Sequence, residues 1–324
     1  MANLEIIKQP IKKEIKEFDS FFSSYIKGQG SLLNIITSYV LKTKGKQLRP
    51  ILVFLSAKLF NRINPSTFHA ASLIELMHTA TLIHDDVVDN SYERRGMFSI
   101  NALWKNKISV LIGDYFLAKG LLLAVNKNEI QLLQIVSEAV KEMSEGELLQ
   151  IEKARKLDIS EDLYYQIIRK KTATLIAACT TAGCVSARCS KEEEQQMKEL
   201  GYHIGMAFQI KDDLFDFNPS NKTGKPAGND IREQKYTLPL IHTFKVCNDK
   251  EKKELKKLLK NFENNKSYIH EINQIIQQNN GFEYTEQVMK NYIQKAKSIL
   301  SQLPQNEANQ SLSMLTDYII ERNK

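Results

Sequence analysis

Residues that break regular structure are scarce here, with 13 glycines and 7 prolines among 324 residues. A protein of many short strands needs such residues at each tight connection, so the scarcity disfavours a β-rich fold. No uninterrupted apolar run reaches 18 residues, so no membrane-spanning helix is expected. The first 18 residues alternate charge with single apolar residues and lack the apolar core of a signal peptide. Cysteine is rare as well, with 4 in the chain and none at zinc-finger or CxxC spacing. That usage suits a reduced, cytoplasmic protein rather than a disulfide scaffold, and Cys179, Cys184 and Cys189 read as small packing residues. The net charge of +7 comes from dispersed basic residues. Nucleic acid is not an expected partner, whereas anionic substrates or a membrane surface are.

Helical periodicity is what the chain has instead, and no period-2 strand stands out. Asn64-Pro65 reads as a cap followed by proline at the first helical position, opening a helix to about Asp89. Further helices are expected from about Ser109 to Val125 and from near Glu129. Ser160 should cap a helix continuing through Lys171, and Ser190 with Glu193 forms a capping box for one ending near Phe217. Residues 218–230 form the longest break of the second half, and the tail from about Asp249 reads as an outer layer. Nothing in the composition divides the chain, so 1–324 is expected to be a single all-α domain.

Two short segments concentrate the carboxylates. Residues 84–89 read HDDVVD and residues 212–216 read DDLFD, together holding six of the 13 aspartates. One DDxxD arises by chance in only about 2% of chains with this aspartate content, so two point to a shared purpose. On a helix, i and i+4 lie on one face, so Asp85 with Asp89 and Asp212 with Asp216 each form a pincer. Both are embedded in apolar sequence, where clustered like charges are unfavourable without compensation. A hard divalent cation compensates, and Mg²⁺ takes a few carboxylates plus water and phosphate oxygens. The spacing lacks the ExxH pattern of a di-iron bundle.

With these clusters in place, the chain resembles the trans-isoprenyl diphosphate synthases of the polyprenyl synthetase family, and most of all their long-chain, octaprenyl-type members. The likeness is carried by GKQLRP (45–50), HTATLIHDDVVD (78–89), ERRG (93–96), VLIGDYFLAKG (110–120) and GELLQ (146–150). It continues through KKT (170–172), FQIKDDLFD (208–216), GKPAGNDIREQKYTLP (224–239) and GFEY (281–284). The resemblance implies a single large helical bundle of the isoprenoid synthase type with a central catalytic cavity. It also implies a homodimer, with the GDYFLAKGLLLAV helix as a candidate interface, and transient membrane contact for product release.

The implied reaction joins isopentenyl diphosphate to an allylic prenyl diphosphate by Mg²⁺-assisted ionisation, condensation and elimination. The resemblance assigns metal binding to Asp85, Asp86, Asp89, Asp212, Asp213 and Asp216. It gives isopentenyl diphosphate to Lys46, Arg49, His78 and Arg95, the allylic diphosphate to Arg94, and the surroundings of that diphosphate and of the developing cation to Lys171, Thr172 and Gln209. Either Lys225 or Lys235 would close over the metal-bound diphosphate, Lys235 matching the family's lysine before TLP more firmly, and the implied catalytic set is Asp85, Asp89, Lys171, Asp212 and Lys235. Lys44 and Gln234 stand where the family commonly has glycine.

Product length is expected to depend on the helix before Asp85. Ala80 and Thr81 occupy positions where short-chain members place aromatic residues, with Leu76 and Met77 one turn deeper. Small residues there imply an open groove and a long product. A class I terpene cyclase would usually carry an Asn/Ser/Glu metal motif in place of DDLFD, and a non-catalytic subunit would have lost some of the charged set.

Overall fold

Asn64 opens the helix that carries the first aspartate cluster. Its side chain accepts from the Ser66 amide at 2.8 Å while Thr67 Oγ1 accepts from the Asn64 amide, satisfying two donors that would otherwise be orphaned. The computed structural model describes residues 4–43, 45–94, 96–154, 160–217, 228–233, 235–262, 265 and 267–321. The helices run in order as α1 Leu4–Ile7, α2 Lys12–Ile26, α3 Ser31–Lys42, α4 Leu48–Leu59, α5 Pro65–Val88, α6 Ile100–Asn126 and α7 Ile130–Ala154. They continue as α8 Glu161–Ile168, α9 Thr174–Ser186, α10 Lys191–Asp216, α11 Asn229–Arg232, α12 Leu238–Val246 and α13 Asp249–Lys260. The last three are α14 Tyr268–Gln278, α15 Gly281–Leu300 and α16 Glu307–Glu321.

Helix α9 lies at the centre, packed against α4, α5, α7 and α10. Its run of Ala177, Ala178, Thr180, Thr181, Ala182 and Gly183 is buried on all sides, which only small side chains allow at this number of neighbours. The principal core joins α2, α4, α5, α6, α9 and α16 through residues such as Phe18, Phe54, Leu73, Phe116, Cys179 and Leu312. Each fully buried aliphatic or aromatic side chain of this kind contributes about 1.5–3 kcal/mol. Two smaller cores lie beneath α12 and α15, and beneath α13 and α14.

Several expectations change. The tail is not merely an outer layer, because α16 packs on α4 and α10 and sends Leu315 and Ile319 to the wall of the main cavity. Cys184 and Cys189 are joined in a disulfide, so they are not free packing thiols, whereas Cys179 is buried and free. Helix α6 begins nine residues earlier than Ser109 and breaks at Lys105 (φ 65°, ψ 168°). By length and composition α6 could cross a membrane, although Asp114 and Lys119 interrupt its apolar run, and 39% of its most apolar window is buried. A two-residue hairpin pairs β1 Glu93–Arg94 with β2 Met97–Phe98 and is too short to register as alternation. The helix after Ser160 does not run smoothly through Lys171, because residues Arg169–Ala173 form a π turn.

Candidate active site

That π turn positions two of the expected site residues. A π turn adds one residue to the helical repeat and re-aims the side chains around it, here Lys171 and Thr172. Its neighbours come close because they offer glycine at the contact. A Cβ on Gly146 of α7 would lie 2.9 Å from Lys170 Cβ, and one on Gly205 of α10 would lie 2.5 Å from Ala173 Cα. The sequence motif GELLQ thus begins with a residue whose absent side chain lets α7 meet the π turn.

Between α4, α5, α7, the π turn, α10 and α16 lies a cavity of about 450 Å³. Its charged end holds Asp85, Asp212, Arg94, Lys171, Glu147, Arg49 and His78. The rest of its wall is largely apolar, with Leu52, Leu175, Ile176, Ile204, Phe208, Leu315 and Ile319. Asp85 and Asp212, separated by more than a hundred residues in sequence, therefore face one space. Burial, with Glu147 and Asp89 adding repulsion, pushes the Asp85 carboxyl up to about 6, although Lys171 and Arg94 oppose the shift. The Lys171 ammonium pairs with Glu147, a carboxylate the sequence reading did not single out.

The aspartates of each cluster do not act alike. Asp86 is 3% exposed and accepts from Arg94 Nε at 2.9 Å and Nη2 at 2.6 Å. Asp213, equally buried, accepts from Tyr164 Oη at 2.7 Å and from Gln209 Nε2 at 2.8 Å. Burial and Asp230 raise the Asp213 carboxyl, against those two hydrogen bonds. Asp216 takes the Asn229 and Asp230 amides, each at 3.0 Å, at the start of α11. Asp89 is exposed at the end of α5. One residue along a helix is a rotation of about 100°, which separates Asp86 and Asp213 from the cavity-facing Asp85 and Asp212.

A divalent cation fits the chemistry of this end. Asp85 and Asp89 have no salt-bridge partner within 4 Å among the described residues, and the oxygen donors are of the hard type that Mg²⁺ prefers. Among the described residues no three metal-ligating side chains converge on one point. A cation here would therefore complete its shell with water and ligand oxygens.

The other expected residues are spread around the same end. Arg49 and His78 line the main cavity and also a smaller one of about 100 Å³ shared with Gln47, Asp86 and Arg94. Arg49 Nε is buried without a hydrogen-bond partner among the described residues, and burial lowers this guanidinium against the pull of Glu75. Lys46 reaches Tyr318 Oη at 2.9 Å, tying the loop before α4 to α16. Thr172 donates to Gln209 Oε1 at 2.6 Å. Burial works against the Lys235 charge, but Glu233, Asp230 and Glu147 outweigh it and hold the ammonium above its ordinary range. Arg95 and Lys225 lie outside the described residues. Of the chain-length candidates, Thr81 lines the cavity, while Ala80, Leu76 and Met77 are buried in the core, Met77 beside Gly120 of α6.

Comparisons with known proteins agree with this architecture. The family model described as polyprenyl synthetase matches residues 31–277. The chain is similar to an octaprenyl diphosphate synthase of Escherichia coli, at 30% identity over 323 residues, covering 99% of this chain and 100% of that one. Among solved structures it resembles a decaprenyl diphosphate synthase from Rhodobacter capsulatus, with TM-score 0.90, 30% identity and coverage of 99% and 100%. It also resembles a polyprenyl synthase from Caulobacter crescentus complexed with calcium and isoprenyl diphosphate, with TM-score 0.91, 29% identity and coverage of 99% and 98%.

Proposed function

We propose that this chain, which belongs to the polyprenyl synthetase family and is a prenyltransferase, condenses isopentenyl diphosphate with an allylic diphosphate into a long all-trans polyprenyl diphosphate. The observation that carries the reading is the pairing of Asp85 and Asp212 in one cavity whose remaining wall is largely apolar. A diphosphate head and a hydrocarbon tail are the two halves such a space suits.

In this reading Asp85, Asp89 and Asp212 would hold Mg²⁺, which would supply Lewis-acid stabilisation of the leaving group. Lys171, Lys235 and Arg94 add positive charge where the diphosphate departs. Lys46, Arg49, His78 and Arg95 grip the diphosphate of isopentenyl diphosphate and aim its double bond at the allylic carbon. The apolar wall keeps water from the cation, the new carbon–carbon bond forms from the double bond, and a proton passes to the released diphosphate. Relatives of the long-chain type support a product of about eight units, and Thr81 at the wall leaves the groove open beside α5.

Chain 1–324 acts as a single domain in this account, since α16 returns to line the cavity begun by α4 and α5. A homodimer is supported by an unpartnered apolar face on α6, where Leu103, Val110, Leu111, Leu121, Leu122 and Val125 are exposed. The apolar product is expected to leave through transient contact with a membrane. Incubation with isopentenyl diphosphate, an allylic starter and Mg²⁺, followed by product sizing, tests the whole reading. Successive additions support it, and an unextended starter refutes it.

A further inference from the structure

Four side chains from three elements form one unbranched hydrogen-bonded chain. Tyr164 Oη of α8 lies 2.7 Å from Asp213 Oδ2, and Gln209 Nε2 lies 2.8 Å from Asp213 Oδ1, both on α10. Thr172 of the π turn then donates to Gln209 Oε1 at 2.6 Å. Thr172 and Gln209 line the main cavity, and both also line an adjoining space of about 120 Å³ that Tyr164 and Asp213 share.

The direction of the hydrogen bonds matters more than their number. The Gln209 amide gives its N–H to Asp213, and the Thr172 hydroxyl gives its hydrogen to Gln209. The Gln209 amide oxygen is therefore held on the Thr172 side and one of its two N–H groups on the Asp213 side, and both Thr172 Oγ1 and Gln209 Oε1 keep lone pairs. An amide turned over by 180° occupies nearly the same volume but would present N–H donors instead. Only an acceptor held at Asp213 Oδ1 prevents that turn. Either protonation state of Asp213 serves, because a proton shared with Tyr164 at Oδ2 leaves Oδ1 an acceptor.

We propose that Tyr164 is a positioning residue which, through Asp213, fixes the orientation of the Gln209 amide, so that its oxygen and that of Thr172 are held for the cation at the allylic carbon, the place the family resemblance already gives that pair. The proposal rests on the prenyl-transfer reading. When the allylic C–O bond breaks, the bonding pair leaves with the diphosphate oxygen and positive charge appears on carbon. Fixed oxygen dipoles stabilise that charge without reorganising. No proton moves along the chain. Asp213 is then an anchor for Gln209, with both its oxygens engaged, rather than a metal ligand.

Tyr164→Phe removes one hydroxyl and keeps the ring, and Thr172→Val removes the other end of the chain. The rate of the first condensation is measured in a single turnover, beside the Kd of an unreactive allylic thiodiphosphate and the melting temperature. We expect the Tyr164→Phe rate to fall roughly tenfold, with analogue Kd and both KM values within about twofold of wild type. The double variant should be about as slow as the slower single variant, because both changes break one chain. A wild-type rate in Tyr164→Phe, a rate loss matched by weaker analogue binding, or penalties that multiply in the double variant would each overturn the proposal. Failure of the wild-type protein to transfer any prenyl group would refute the underlying reading instead.

Discussion

Arg94 forks onto Asp86, with Nε 2.9 Å from Oδ2 and Nη2 2.6 Å from Oδ1, so the middle carboxylate of the first cluster is neutralised by the protein itself. The neighbouring Asp85 faces the cavity without such a partner among the described residues. Two adjacent aspartates thus have different surroundings, one holding the hairpin of β1 and β2 to α5 and one facing the cavity.

Arg94→Ala should therefore destabilise the fold. It strands a carboxylate that is 3% exposed, although the arginine side chain itself is 36% exposed and the pair is partly screened. We expect a loss of about 1–3 kcal/mol in denaturant unfolding. Arg94→Ala with Asp86→Asn should recover most of it. An unchanged unfolding midpoint in the single variant would contradict the assignment.

Asp85→Asn should do the reverse, and in a pH-dependent way. The folded-state carboxyl is raised from 3.8 to about 6, first by burial and then by Glu147 and Asp89. The folded protein thus holds the proton more tightly than the unfolded chain, and ionisation above about 6 costs stability. The metal-free variant should melt higher than wild type at pH 8, by about 2 °C. The gap should close as pH falls through 6 toward 4. A gap that is constant from pH 8 to pH 4, or that widens toward acid, would contradict this electrostatic account.

Product length should respond to Thr81 more cleanly than to Ala80. Thr81 lines the cavity, so Thr81→Phe should shorten the product to about three or four units with little change in melting temperature. Ala80 is fully buried away from that wall, and a ring there must displace packed neighbours at a cost of about 1–3 kcal/mol. Sizing products of both variants beside thermal melts checks this. A full-length product from Thr81→Phe would show that the chain grows elsewhere.

Leu122→Lys places a charge in the exposed stripe of α6, where Leu122 is 53% exposed. Sedimentation should show a dimeric wild type and a predominantly monomeric variant with unchanged helical content. Monomeric wild-type protein at micromolar concentration would contradict the dimer.

What was legible in the sequence was local. Asn64, Ser160 and Ser190 mark helix starts because a cap needs only its own next three residues, and the structure has all three. The cavity-facing positions of Asp85 and Asp212 followed from their motifs and apolar settings. The inward turn of Asp86 and Asp213 did not, because their partners Arg94 and Tyr164 come from another element. The π turn at Arg169–Ala173 was hidden because it depends on two close-packed neighbours, as Gly146 and Gly205 reveal only once α7 and α10 are in place. The return of α16 to the cavity was masked by its polar surroundings, since Leu315 and Ile319 alone carry the signal.

In the proposed reading the paired aspartates and the apolar cavity extend a prenyl chain. Labelled isopentenyl diphosphate, an unlabelled allylic starter and Mg²⁺ test it directly, with products sized after removal of their diphosphate. A ladder of labelled all-trans products ending in a long chain is expected, abolished by excess chelator and by Asp212→Asn. Release of an unlabelled hydrocarbon from the starter, or no labelled product at all, would contradict it.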